Sequence, residues 1–170
     1  MYSTMSDDKM MVFLLALIGV MIIVAVVTLI YQLVHQRKIR ASVMKSEPIS
    51  AQQFLANWKV GKRNAWGGYR AMDQPGCYVI LTNPRDGVNG SVSYDAVYVG
   101  QSIHVCSRVR QHLTGHGNGD VYADIRYGQN VQVRIVPCSQ HNLNAVEKDL
   151  IAAFGATKSY NKTRGGARRR

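Results

Sequence analysis

The sequence predicts a mixed α/β domain of the α+β kind behind a single transmembrane helix. Three observations carry this reading. Residues 11–30 contain no charged side chain. Two β-type runs, residues 75–80 and 96–100, each hold a tyrosine and flank a segment rich in Gly, Asn, Ser and Asp, the pattern of strands joined by a loop. Two stretches of helical periodicity, residues 102–113 and 143–154, lie on either side of a third β-type run at 131–137.

The apolar stretch comes first. Twenty helical residues span roughly 30 Å, the thickness of a bilayer's hydrocarbon core. Only Gly19 and Thr28 interrupt its large apolar side chains and alanines, so it lacks the polar face of a soluble helix. A cleaved signal peptide fits poorly: the run is too long, no small-residue cleavage site follows, and Asp7-Asp8-Lys9 before it is net negative. His35, Arg37, Lys38 and Arg40 follow. The positive-inside rule then puts the C-terminal side in the cytoplasm and residues 1–10 outside. The expected membrane helix covers residues 11–34, with Tyr31 as an interfacial aromatic.

Residues 35–72 are expected to form a basic juxtamembrane linker carrying one short helix. Residues 41–48 are polar. Ser50 is placed to cap a helix from Ala51 to about Trp58, whose Phe54, Leu55 and Trp58 recur at helical spacing. Residues 61–68 are expected as loop. Trp66 within them reads as a cover for the domain edge, with stacking on a base as the rarer alternative.

In the two tyrosine strands, side chains alternate between faces. Tyr78 points opposite to Cys77 and Val79, and Tyr98 opposite to Val97 and Val99. One register of pairing puts both phenols on the same face. The first helix, residues 102–113, repeats Val105, Val109 and Leu113 every fourth position. Arg108 and His112 are also four apart and project together from the flank of that stripe. A Gly- and Asn-rich loop follows at 114–120, then a short helix or turn at 122–127. In the strand at 131–137, Val131, Val133 and Ile135 are expected to face the core, and Gln132 and Arg134 to face out.

The second helix has a stripe of Leu143, Val146, Leu150, Ile151 and Phe154. At about 100° per residue, Glu147 falls inside that stripe. A carboxylate there needs a partner. Two readings stand side by side: Asn144 and Glu147 form a capping box at the helix start, or Glu147 reaches into a cleft and binds a divalent cation.

Charge narrows the partners. Residues 37–170 carry 20 of the 21 Lys and Arg against 8 of the 10 Asp and Glu, a net of +12. Such an excess favours nucleic acid or an anionic lipid surface. The three cysteines, Cys77, Cys106 and Cys138, make no disulfide framework and suit a reducing compartment. No pair of Cys or His has zinc-ligand spacing. A basic tail runs from Lys158 through Lys162 and Arg164 to Arg170. Arg-Gly-Gly at 164–166 is too short for an RNA-binding repeat.

In chain order stand Gly76-Cys77-Tyr78, Tyr98-Val99-Gly100, Arg108, His112, Glu147 and Tyr160-Asn161. This set resembles the GIY-YIG nuclease domain over residues 73–162. Cys77 replaces the family's Ile in the first motif, at a position packed opposite Tyr78. The resemblance implies a small three-stranded antiparallel sheet flanked by helices. It also implies hydrolysis of DNA phosphodiester bonds dependent on Mg²⁺ or Mn²⁺. By the same analogy Glu147 holds the metal ion and Arg108 neutralises the phosphate. Tyr78 acts as general base or orients the attacking water, a role that requires its phenol to be depressed from about 10. Tyr98 donates a hydrogen bond, His112 shuttles a proton, and Asn161 positions the phosphate or its partner side chains. Arg108, Arg110, Lys158, Lys162 and Arg164 are the candidate DNA contacts.

The expected protein is therefore a membrane-anchored, metal-dependent DNA endonuclease with its domain in the cytoplasm. It needs no small-molecule cofactor and has a lipid bilayer as its second partner. Two rivals remain. One is a non-catalytic module that tethers nucleic acid to the membrane, for which Glu147 has no use. The other is a structural membrane protein whose basic surface binds anionic lipid. No segment is left over for a separate DNA-recognition domain, so high sequence specificity is not expected from residues 1–170 alone.

Overall fold

The computed structural model describes residues 7–63, 73–87 and 92–162. Trp66, Arg164 and the tail from 163 onward lie outside these residues. The fold is mixed α+β with one long apolar helix and a small antiparallel sheet. Helix α1 (Asp7–Lys45) leads into strand β1 (Ile49–Ser50) and helix α2 (Ala51–Arg63). Strand β2 (Gly76–Thr82) is followed by the short pair β3 (Arg85–Asp86) and β4 (Val92–Ser93), then by β5 (Ala96–Ser102). Helices α3 (Val105–Leu113) and α4 (Gly119–Arg126), strand β6 (Val131–Pro137) and helix α5 (Leu143–Phe154) complete the order.

The main sheet has four strands in the order β1-β6-β2-β5, all antiparallel. Three of them are the expected strands. The fourth, β1, adds a two-residue rung onto β6. Tyr78 lies opposite Gly100, and Ile80 opposite Tyr98. Tyr78 and Ile80 share a face, so both phenols are on the same side, with ring centroids 6.2 Å apart.

Each face of the sheet buries its own core. On one, Tyr78, Ile80, Val131 and Val133 pack with Phe54 and Trp58 of α2, Val105, Val109 and Leu113 of α3, and Val121 of α4. On the other, Cys77, Val79, Leu81, Val97 and Val99 pack under Leu143, Leu150, Ile151 and Phe154 of α5, and under Val43 of α1. Cys77 and Tyr78 thus lie on opposite faces, as alternation requires.

Three expectations are corrected here. First, the basic linker expected over 35–72 does not begin as a linker: α1 runs unbroken to Lys45, through most of the polar stretch at 41–48, and Ile39, Val43 and Met44 are packed into the second core. Arg40 lies 5.1 Å from the Tyr94 ring centroid and 5.7 Å from that of Phe154, and it donates to the Val92 carbonyl at 2.5 Å. Second, the expected short helix from Ala51 extends to Arg63 and anchors Phe54 and Trp58 in the first core. Its start is a capping box: Gln53 N–H donates to Ser50 Oγ, and Ser50 N–H to Gln53 Oε1, each at 3.1 Å. Third, Arg134 does not face solvent. It is 6% exposed and donates from Nη1 to the carbonyls of Met44 and Ser46 at the end of α1. Strand alternation had placed it correctly; the face it shares is covered by α1 and α5.

The large apolar residues of α1 from Met10 to Val34 are exposed. This helix is long and apolar enough to cross a membrane.

Candidate active site

The polar features gather where β2 and β5 run past α3. Tyr78 is 1% exposed and His112 0% exposed. A buried polar group must be hydrogen-bonded, and these two satisfy each other: Tyr78 Oη lies 2.8 Å from His112 Nε2. His112 Nδ1 accepts from the Asn118 N–H at 2.7 Å. An imidazole nitrogen that accepts carries no proton, so the proton of the neutral ring sits on Nε2. His112 therefore donates to Tyr78 and leaves the phenol its own O–H to give. Tyr98 lies tilted against both rings, its centroid 4.8 Å from that of His112.

Two glycines make room for this cluster. A Cβ at Gly100 would lie 2.3 Å from Tyr78 Oη, and one at Gly117 would lie 2.5 Å from His112 Nδ1. The glycine two residues after Tyr98 is thus required by the phenol on the neighbouring strand.

Helix α3, which carries Arg108 and His112, is fixed at its start from a distance. Asp73 accepts from the N–H groups of Cys106 and Ser107 and from Ser107 Oγ, answering the exposed donors of a helix N-terminus. Arg108 is half-buried and donates to Gln111 Oε1 at 2.7 Å.

The electrostatics follow from burial. Burial, and then the Arg108 cation, push His112 down to about 4, so the ring is neutral at physiological pH. Burial pushes the Tyr78 phenol well above its usual range; Tyr98 and Glu147 add to the rise, and Arg108 opposes it without cancelling it. The depressed phenol that a general base would need is absent from this arrangement. Tyr78 and His112 are also closed off from contact with a substrate, whereas Tyr98, Arg108 and Glu147 are only half-buried.

Glu147 reaches the same region from the other face. It sits in the second turn of α5, and Gln101 Nε2 donates to its Oε2 at 3.1 Å and to Asn144 Oδ1 at 2.6 Å. The N-cap of α5 is Asn142, not Asn144, so Glu147 lies beyond the first turn and the capping-box reading falls. Among the described residues no three His, Cys, Asp or Glu groups converge. The oxygens of Glu147 and Asn144, tied together through Gln101, suit a hard divalent cation that keeps most of its water.

The other expected site residues are placed as follows. Asn161 is buried with both amide atoms on one residue: its Oδ1 accepts from the Val99 N–H at 2.8 Å, and its Nδ2 donates to the Val99 carbonyl at 2.7 Å. It acts on the edge strand that carries Tyr98, and its amide is not presented to a phosphate. Arg110 lies over the Trp58 ring at 5.6 Å from the centroid, so its guanidinium braces α3 on α2. Lys158 lines a hollow of about 530 Å³ at the Thr82–Ala96 end of the strands, four rungs from the Tyr78–Gly100 pair, or about 13 Å by strand rise. Lys162 is exposed just after Asn161.

Three participants escaped sequence reading. Gln101 and Asp73 act on partners far away in the chain. Asn118 acts through its backbone N–H, which leaves no mark on the sequence. Alternation after Gly100 was the one available signal, since it turns Gln101 toward α5. No protein-family model, curated protein or solved structure matches the chain.

Proposed function

We propose that this protein is a membrane-anchored endonuclease of the GIY-YIG kind, hydrolysing DNA phosphodiester bonds with Mg²⁺ or Mn²⁺. One observation supports it above the others: Arg108 and Glu147, from helices on opposite faces of the sheet, both act on the buried Tyr78, whose paired tyrosine Tyr98 is half-buried beside it. A phosphodiester needs charge neutralisation at its oxygens and an oriented nucleophile. Arg108 offers a planar, permanently charged guanidinium for the phosphate. Tyr98 orients the attacking water through its hydroxyl. Tyr78 and His112 hold Tyr98 and Arg108 in place rather than touching substrate. Glu147 holds the divalent cation, which when bound neutralises developing charge and polarises the scissile group. Asn161 keeps the Tyr98 strand in register. Lys158 and Lys162 bind the DNA backbone beyond the site. The span at residues 11–34 holds the domain on the cytoplasmic face, following the basic residues after it.

The test is plasmid cleavage by the full chain in detergent micelles. The expected result is nicking that needs Mg²⁺ or Mn²⁺, stops with EDTA, and falls at least 100-fold in Glu147→Ala and in Arg108→Ala. The full burial of Tyr78 and His112 favours one rival, a non-catalytic tether. Salt-sensitive DNA binding without cleavage, unchanged in Glu147→Ala, would establish that rival instead.

A further inference from the structure

We infer that Gln101 is a positioning residue that fixes the Glu147 carboxylate at the sheet edge for a hydrated divalent cation. This rests on the nuclease reading and adds to it a residue that the motif set does not contain.

Gln101 stands on a strand that is itself held. Strand β5 is the outer strand of the sheet, and the segment after α5 pairs with its outward backbone groups. Val97 N–H donates to Ser159 Oγ at 2.9 Å, Tyr160 N–H to the Val97 carbonyl at 3.2 Å, and Val99 N–H to Asn161 Oδ1 at 2.8 Å. Gln101 is the next residue of the same parity. Its side chain shares the face of Val97 and Val99, the face that α5 covers.

From there Nε2 reaches two residues one turn apart on α5, Asn144 and Glu147. A glutamate side chain gives up rotamer freedom when it is fixed. An amide that already holds the carboxylate removes part of that cost from cation binding. The amide is also neutral. It orients Glu147 without cancelling its charge, which a lysine at this position would do.

The experiment titrates Mn²⁺ alone into the full chain in detergent micelles and follows the free-ion signal by electron paramagnetic resonance. Gln101→Leu is expected to weaken Mn²⁺ binding about tenfold, the usual effect of losing a partner that orients a metal ligand. Gln101→Lys weakens it further, and Glu147→Ala abolishes it. Should Gln101→Leu unfold the chain, Gln101→Asn, one methylene short of α5, carries the same expectation. Equal Mn²⁺ affinity in the wild type and Gln101→Leu overturns the role of Gln101 and leaves the nuclease reading standing. No Mn²⁺ binding by the wild-type chain overturns both.

Discussion

At the scale of single residues, the Tyr78–His112 pair makes the fold sensitive to acid. The ordinary histidine value is 6.5, and in the fold it is lowered to about 4. Between those values the unfolded chain takes up a proton that the folded chain refuses, so stability rises with pH. The contribution is complete above about 6.5 and is lost as pH falls toward 4. At 1.36 kcal/mol per unit the shift is worth roughly 3 kcal/mol. Urea unfolding at pH 7.5 and at pH 4.5 should show this loss in the wild type and a smaller one in His112→Gln; equal losses would remove His112 as the cause. Gly100 gives a second prediction. Gly100→Ala drives a Cβ into the Tyr78 hydroxyl, and overpacking of this kind costs about 1–3 kcal/mol. Chemical denaturation should show that loss, along with a fall in cleavage. Wild-type stability in this variant would mean that the Tyr78 ring has room to move.

Among the elements, α1 has two lives. Its apolar part is exposed on all sides, and its last turns are part of a protein core. The change falls within one unbroken helix because Ile39, Val43 and Met44 repeat at helical spacing and meet α5 and β6. Arg134 then closes the helix end by donating to the carbonyls of Met44 and Ser46, which have no partner within the helix. A chain that begins at residue 46 should therefore be less stable than one that begins at residue 35. Burying an apolar side chain is worth about 1.5–3 kcal/mol, so losing Val43 and parts of its two neighbours costs roughly 3 kcal/mol. Thermal unfolding of the two fragments measures this. Equal midpoints would mean that the end of α1 only rests on the domain.

For the molecule as a whole, the helix that suits a membrane continues straight into the domain. At 1.5 Å per residue its 39 residues extend about 58 Å, more than a bilayer core needs. Part of the surplus is the docked end, where Ile39, Val43 and Met44 pack on the domain, so the apolar part of α1 joins the domain through continuous helix. DNA that binds there meets a domain with an excess of positive charge. Three phosphate contacts, from Arg108, Lys158 and Lys162, should give a log–log slope of binding against salt of about −3. Lys158→Ala should make that slope shallower by about one. Binding that ignores salt would exclude a phosphate-led interface.

The sequence by itself determined the apolar span, the three long strands, the face of each tyrosine and the helical stripes. All of these follow from periodicity, which is a local property of the chain. It also brought Arg108 and His112 together, because four residues make one helical turn. Only the tertiary structure decided what each polar group does there. Arg134 reads as a solvent-facing residue until a second layer covers its side of the sheet. Asn161 reads as a phosphate ligand until Val99 takes both ends of its amide. Glu147 reads equally as a helix cap until α5 begins at Leu143, with Asn142 as its N-cap, and Gln101 arrives from β5. Each of these outcomes depends on residues tens of positions away. Burial and hydrogen-bond partners are set by the elements that pack together, and the spacing within one element does not contain them.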